Sequence, residues 1–191
     1  GNKGMHLLLT AFAHVAERYP SARLLLKGMD DLYASAMFLK SASKTLSDSQ
    51  AELIKHRIMY SSTTVSFQGM ANLYQAADAY VSPYLSEGFN LPVLEAIASG
   101  LPVICTAGGA TEDFINPESV RTVRSDLRED KDRKGRRRIM LKPDTAHLRQ
   151  LMLQVIEDSE WRSNALGQGP VHAESAWTWR HAVDDLLDVI L

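Results

Sequence analysis

Apolar and polar positions alternate along the chain with two different periods. In "MHLLLTAFAHVAERYP" the apolar residues recur at the spacing of an amphipathic helix, which ends before Pro20. "ARLLLKG" is a short apolar run closed by Gly28, which predicts a buried strand. Further strands are predicted at "TVSFQG", "AYVSP" and "LPVICTAGG", with helices between them. This order predicts an α/β fold with a Rossmann-like parallel sheet and helices on both faces.

The pattern changes after Pro117. "VRTVRSDLREDKDRKGRRRIMLKP" predicts two strands joined by a charged turn at Gly135, a small β-hairpin-like insertion near 119–142. Two amphipathic helices are predicted to close the chain, with Trp177 and Trp179 as core anchors of the second.

The stretch from Arg124 to Arg138 carries eight basic and four acidic residues. A solvated loop tip is the interpretation that such a charge run favours. A phosphorylated lipid carrier, an anionic membrane and a polyanionic acceptor are the alternative partners. Membrane association has no other support in the sequence.

Composition limits the function classes. A length of 191 residues suits one domain over 1–191, and a net charge of -2 gives no general attraction to nucleic acid. The single cysteine, Cys105, excludes an intramolecular disulfide, and the six histidines have no ligand spacing. We therefore expect a cytoplasmic protein without a metal or another cofactor.

The richest segment for chemistry is "SEGFNLPVLEAIASG", in which Glu87 and Glu95 flank a predicted helix start. Asn90 and Pro92 suit the first turn, where Asn90 is expected to cap free amides, and Gly88 lets a ligand approach the backbone. Free N–H groups at a helix start favour an anion, whereas carboxylates accept hydrogen bonds from hydroxyls. This combination suits a nucleotide sugar, which has hydroxyls on both sides of a diphosphate. The alternative is two solvated glutamates that only complement the helix dipole.

The segment "SEGFNLPVLEAIASGLPVICTAGGATEDF" resembles the E-x7-E segment of the retaining nucleotide-sugar glycosyltransferases of the GT-B fold, the large family-4 group. "NKGMHLLLTAF", "ARLLLKG" and "VSFQGM…LYQAADAYVSPYLSEGF" resemble other segments of that family in the same order. The resemblance covers residues 1 to about 116 well and the closing helices loosely. It implies the C-terminal, donor-binding half of an enzyme that transfers a sugar from a UDP-, GDP- or ADP-sugar to an acceptor.

The resemblance also implies roles for individual residues. Glu95 matches the glutamate that binds the ribose hydroxyls, and Glu87 matches the one beside the donor sugar. Lys3 matches the lysine that neutralises the departing diphosphate, so Glu87 and Lys3 are the expected catalytic residues. The nucleotide base is expected against Gly69 and Met70. Backbone donors to the sugar and diphosphate are expected at Gly88, Phe89, Asn90 and Leu91.

The resemblance further implies that an N-terminal acceptor half and the first strand of the donor domain lie outside 1–191. The isolated chain is then not expected to turn over substrate. A GT-B nucleotide-sugar epimerase, which needs acid and base residues that are not recognisable here, is one alternative. A non-catalytic interaction module that retains the fold is another. The sequence leaves the donor base, the sugar, the acceptor and the oligomeric state open.

Overall fold

The computed structural model describes residues 2–131 and 134–190. Within these residues the parallel strands form two groups. Strand β1 (Leu24–Lys27) pairs with β2 (Ile58–Ser61), and β3 (Tyr80–Ser82), β4 (Val103–Thr106) and β5 (Val120–Val123) pair in that order. The parallel α/β architecture expected from the alternating pattern is confirmed.

Helices connect and follow the parallel strands. In chain order they are α1 (Met5–Arg18), α2 (Ser35–Ser43), α3 (Asp48–Ile54), α4 (Phe67–Gln75), α5 (Leu91–Ala98), α6 (Thr145–Glu157), α7 (Ser159–Ala176) and α8 (Trp179–Ile190). Side-chain oxygens of Ser47, Asp144 and Asp158 accept from amides in the first turns of α3, α6 and α7. Each of these caps satisfies a donor that a helix start leaves free.

Strand β4 is buried on both sides and separates two hydrophobic clusters. Ile104 points into the cluster that α1 and α6 cover, whereas Val103 and Cys105 point into the cluster that α5 covers. The first cluster also contains Leu26 of β1, so one core lies under both groups of parallel strands. Burying a side chain of this size contributes about 1.5–3 kcal/mol, which makes the two clusters the main source of stability.

The charged insertion is a true antiparallel hairpin, but it is shorter than predicted. Strand β6 (Ser125–Lys131) pairs with β7 (Arg137–Pro143), and the predicted residues 120–123 belong to β5 instead. Val120 and Val123 are buried beside β4, and this burial draws them into the parallel sheet. Gly135 lies in the turn with φ of 77°, as predicted, whereas residues 132 and 133 of the charged run lie outside the described residues.

The prediction of a strand at "TVSFQG" is wrong. Strand β2 ends at Ser61, and Ser66 caps α4, because its hydroxyl oxygen accepts from the amide of Gly69 at 3.1 Å. A serine at the N-cap stabilises the start of a helix. This effect outweighs the strand preference of the short apolar pattern at this position. Gly69 and Met70 therefore lie in the first turn of α4 rather than after a strand.

Three helices close the chain where two were predicted. The helix that the sequence did not indicate is α7, whose interior contains Gly167, Gly169 and Pro170. Gly169 packs against the carbonyl oxygen of Ile97 in α5, where a Cβ would overlap that atom. Packing of small residues against α5 thus outweighs the poor intrinsic helix propensity of this stretch.

The last helix presents its apolar residues to solvent. Trp177 packs against Phe114 with ring centroids 5.9 Å apart, as expected of a core anchor, but Trp179 is 79% exposed and is no core anchor. Among the described residues of α8 none is buried, because the described part of the chain supplies no element that packs on this side. None of the helices in 2–131 and 134–190 has the length and apolar content needed to cross a bilayer.

Candidate functional site

The loop between β3 and α5 is anchored by a buried tyrosine. The hydroxyl of Tyr84 donates to the carbonyl oxygen of Thr106 at 3.1 Å and lies 2.8 Å from the hydroxyl oxygen of Thr111. A Cβ on Gly109 would overlap the Tyr84 hydroxyl, so this turn requires glycine. These contacts hold the start of the loop at the carboxyl end of β4, where parallel sheets bind ligands.

The N-terminal residues run alongside this loop. The amide of Leu85 donates to the carbonyl oxygen of Asn2 at 2.6 Å. Gly4 has φ of 67°, and a Cβ there would overlap the carbonyl oxygen of Pro83. A residue without a side chain is needed for this approach, and it brings Lys3 beside the loop.

Lys3 and Glu87, the predicted catalytic residues, form an ion pair. The Lys3 ammonium lies 2.6 Å from Oε1 of Glu87, whose side chain is only 12% exposed. Oε1 is buried, and the described residues offer it the Lys3 ammonium and no further polar partner. Glu87 therefore presents a buried oxygen that is charge-compensated but still able to accept a hydrogen bond.

Asn90 does not cap α5 with its side chain, contrary to expectation. It adopts the left-handed conformation with φ of 72°, and its side-chain amide donates to the hydroxyl oxygen of Ser82 at 3.0 Å. The side chain is thereby directed to β3 rather than to the first turn. The hydrogen bond from Asn90 to a residue of β3 depends on tertiary packing, which the local sequence does not reveal.

Four consecutive backbone donors at the start of α5 have no protein acceptor in the described part of the chain. The amides of Gly88, Phe89, Asn90 and Leu91 have no acceptor among the described residues. These are the four residues at which donor-contacting amides were predicted. Free amides at the positive end of a helix form a site for an anion.

The side chains of the same loop leave its backbone open. The ring of Phe89 stacks on buried Phe114 with centroids 4.8 Å apart and planes at 27°, which fixes the loop from one side. Leu91 is exposed, and a Cβ on Gly88 would meet nothing within 4 Å. The space beside Gly88 is therefore free for a ligand.

Glu95 is held by a tyrosine that the sequence did not single out for this role. The buried hydroxyl of Tyr74 in α4 donates to Oε2 of Glu95 at 2.8 Å, so Oε1 stays available. Burial, and next the hydrogen bond to Glu95, raise the pKa of Tyr74, which keeps the phenol protonated and donating. Tyr74 and Glu95 are 21 residues apart, and only the packing of α4 on α5 makes them neighbours.

Tyr80 links the two glutamates of the site. Its ring packs edge-on against Tyr74 with centroids 5.8 Å apart. Burial raises the pKa of Tyr80 most, and the charges of Glu95 and Glu87 raise it further. Both carboxylates therefore act on one phenol through their charge, and Glu87 and Glu95 flank the start of α5.

The residues predicted for a nucleotide base are only partly available. The Gly69 amide is already used, because it donates to Ser66. Met70 packs partly buried against the cluster that contains Tyr74, one turn further along α4. Gly69 and Met70 thus lie on the same helix as Tyr74, which holds Glu95, but the backbone amide of Gly69 is not free to donate to a ligand.

Comparison with known proteins identifies the family. The sequence profile of the family described as glycosyl transferases group 1 matches residues 1–158. The chain belongs to this family. The GDP-mannose-dependent monoacylated alpha-(1-6)-phosphatidylinositol monomannoside mannosyltransferase of Corynebacterium glutamicum is 24% identical to this chain, over 98% of the chain and 44% of its own length.

Solved structures confirm the GT-B fold of this chain. Sucrose-phosphate synthase from Thermosynechococcus elongatus matches with a TM-score of 0.73 and 22% identity, over 98% of this chain and 41% of its own. Anabaena HepE, solved with UDP and glucose, matches with a TM-score of 0.63 and 16% identity, over 91% and 41%. The chain spans less than half the length of the curated relatives that it matches first.

Across residues 2–131 and 134–190, no three His, Cys, Asp or Glu side chains are grouped so that they could hold a metal ion.

Tyr74→Phe is expected to weaken nucleotide binding about 3- to 10-fold, since one hydrogen bond that orients Glu95 is worth about 0.5–1.5 kcal/mol. Isothermal titration with a nucleoside diphosphate measures the change. Tyr33→Phe removes an exposed hydroxyl from another surface and is the matched control. An unchanged dissociation constant for Tyr74→Phe would show that Glu95 is oriented without it.

Two glycines of the site should respond differently to alanine. Gly109→Ala is expected to destabilise the protein by about 1–3 kcal/mol, because the new methyl group overlaps the Tyr84 hydroxyl. Gly88→Ala meets nothing within 4 Å and should leave thermal stability unchanged while weakening nucleotide binding. Thermal melts and titrations of both variants check this. Equal effects of the two variants on stability would contradict the open space beside Gly88.

Proposed function

We propose that this chain is the donor-binding part of a retaining glycosyltransferase that transfers a sugar from a nucleoside-diphosphate sugar to an acceptor. The proposal is carried by one observation, the four unsatisfied amides at 88–91 between two carboxylates. A diphosphate accepts from such amides at a helix start, where the positive end of the helix also favours its charge. The chemistry needs no metal or other cofactor in this proposal.

The glutamates divide the ligand between them. Oε1 of Glu95 accepts from the ribose hydroxyls, while Oε2 is held by Tyr74. The buried Oε1 of Glu87 has no polar partner besides the Lys3 ammonium among the described residues, and a hydroxyl of the donor sugar donates to it. Carboxylates suit these roles because they only accept hydrogen bonds, and they would repel the phosphates between them.

The relatives support the substrate class. The name of the Corynebacterium glutamicum relative specifies GDP-mannose, and Anabaena HepE was solved with UDP and glucose. Both ligand sets combine a nucleoside diphosphate with a hexose. For this chain we therefore propose UDP-, GDP- or ADP-hexose as the donor class, and the cytoplasm, where such donors are made, as the compartment.

Lys3 is proposed to move from Glu87 to the diphosphate when the donor binds. Its ammonium is 65% exposed in the ion pair, so it can rotate toward the free amides without leaving a buried position. A preorganised positive charge there stabilises the leaving diphosphate as negative charge develops.

Lys3→Met is expected to weaken binding of a nucleoside diphosphate about 10-fold and binding of the monophosphate much less, because a charged hydrogen bond is worth about 1.5–3 kcal/mol. Titrations of both ligands measure the ratio. Lys40→Met, on the exposed surface of α2, is the control. An equal loss for both nucleotides would place Lys3 away from the second phosphate.

The function is tested by ligand-observed NMR of the protein with UDP, GDP, ADP and their common sugars. Selective binding of one nucleotide, competed by its own NDP-sugar, is the expected result. Absence of binding to all three nucleotides by the folded protein would reject the donor site and leave a module without donor chemistry.

A further inference from the structure

The charged hairpin, β6–β7, differs in charge from the rest of the chain. Residues 125–143 contain eight basic and four acidic side chains, a net charge of +4, whereas the whole chain has -2. The remainder therefore has a net charge of -6. A cationic element on an acidic body is a local feature, and it favours an anionic partner at this element alone.

One face of the hairpin also carries exposed apolar side chains. Leu127 is 74% exposed and Ile139 is 66% exposed. Leu127 lies opposite Leu141, and Glu129, two residues further along β6, lies opposite Ile139. Leu127 and Ile139 are therefore diagonal neighbours on one face of the hairpin. Lys131 and Arg137 form the following pair on the same face, where Arg137 also forms an ion pair with Glu129. Two aliphatic side chains are thus followed by two cations, of which Glu129 compensates one.

The base of the hairpin is fixed to the candidate site. The Leu141 amide donates to the carbonyl oxygen of Leu85 at 2.8 Å, in the loop that leads to Glu87. The hydroxyl of Ser125 donates to the carbonyl oxygen of Ala107 at 2.7 Å. Met140 and Leu141 are buried, which anchors the strands at one end. A surface that contacts the hairpin face is consequently held next to the donor-binding loop.

We propose that the charged hairpin docks this protein on an anionic lipid surface. Anionic headgroups attract the basic residues, and the interface takes up Leu127 and Ile139, which water surrounds in the free protein. A soluble polyanion would satisfy the charges but leave both aliphatic side chains in water. The combination of aliphatic and cationic side chains on one strand face therefore matches lipid.

A second exposed apolar surface, on α8, has the opposite charge. Helix α8 exposes Leu186 and Val189 beside Asp184, Asp185 and Asp188. Anionic headgroups repel these carboxylates, so α8 does not fit the same surface. Its exposed aliphatic residues consequently provide a matched control for those of the hairpin.

The test is sedimentation of the protein with vesicles of phosphatidylcholine alone and with 30% phosphatidylglycerol, a composition of about one anionic lipid in three. Binding is expected to the anionic vesicles only and to fall as salt is raised. Lys131→Gln/Arg137→Gln should weaken it about 30-fold and Leu127→Ser/Ile139→Ser about 10-fold or more. Leu186→Ser/Val189→Ser on α8 should leave it unchanged.

Heparin serves as the soluble polyanion, and thermal melts confirm that each variant is folded. Loss of vesicle binding in Leu127→Ser/Ile139→Ser, with heparin binding retained, supports the lipid surface. Vesicle binding that is insensitive to those substitutions, or absent in the folded protein, overturns it. The result is independent of the proposed donor site, because nucleotide titrations of the same variants report that site separately.

Discussion

Glu95→Ala is expected to weaken binding of the preferred nucleoside diphosphate about 10- to 100-fold, because hydrogen bonds to a charged group contribute about 1.5–3 kcal/mol. The carboxylate lies at the exposed surface of α5, and Tyr74 holds only one of its two oxygens. The other oxygen accepts from the ribose hydroxyls in the proposed complex. Isothermal titration measures the loss.

A ribose-deficient ligand makes this prediction specific. The 2′,3′-dideoxynucleotide should bind the unmodified protein as weakly as the normal nucleotide binds Glu95→Ala, and the two changes together should add little. Glu174→Ala removes an exposed helical glutamate in α7 and is the control. Full additivity of the residue and ligand changes would mean that Glu95 does not contact the ribose.

Gly4→Ala is expected to lower the free energy of unfolding by about 3 kcal/mol or more, a large effect for one methyl group. The residue has φ of 67°, which strains any residue with a Cβ, and the new methyl group overlaps the carbonyl oxygen of Pro83. For a protein of this size the melting temperature should fall by about 6–12 °C, as calorimetry would show.

Gly135→Ala separates strain from overlap. Gly135 has nearly the same backbone conformation, with φ of 77°, but a Cβ there meets nothing within 4 Å. Strain alone should cost about 1–2 kcal/mol. If Gly4→Ala proved no more destabilising than Gly135→Ala, the close approach of the N-terminal residues to the Pro83 loop would be wrong.

The elements that could be predicted are those whose signals are local. Strand β4 is a short apolar run between Pro102 and a glycine turn, and it is buried along its whole length. Gly100 ends α5 with φ of 79°, and its amide and that of Leu101 donate back to carbonyl oxygens of the helix, the usual role of a glycine after a helix. In both cases the determining residues are adjacent in the chain, so the sequence alone is sufficient to predict the element.

The misses have a common physical origin in tertiary packing. Helix α7 exists despite Gly169 and Pro170 because it fits closely against α5. The side chain of Asn90 turns to Ser82, and Trp179 lies on a surface that no described element covers. Each of these outcomes depends on residues distant in sequence, and local propensity does not report their presence or absence.

The candidate site was predictable in part. Lys3 and Glu87 meet, and the amides at 88–91 are free, where the resemblance placed a donor. Tyr74 was missed because its contact with Glu95 follows from the packing of two helices. Gly69 is unavailable as a donor because a serine cap uses its amide, a competition that spacing does not show.

The central claim is that a nucleoside diphosphate binds the free amides at the start of α5. Titration of the ¹⁵N-labelled protein with the preferred nucleotide, followed in amide correlation spectra, tests this claim most directly. The largest shifts are predicted at Gly88, Phe89, Asn90 and Leu91, and Glu95→Ala should require a higher concentration for the same shifts. Saturating nucleotide that leaves these four amides unchanged while others shift would contradict the site.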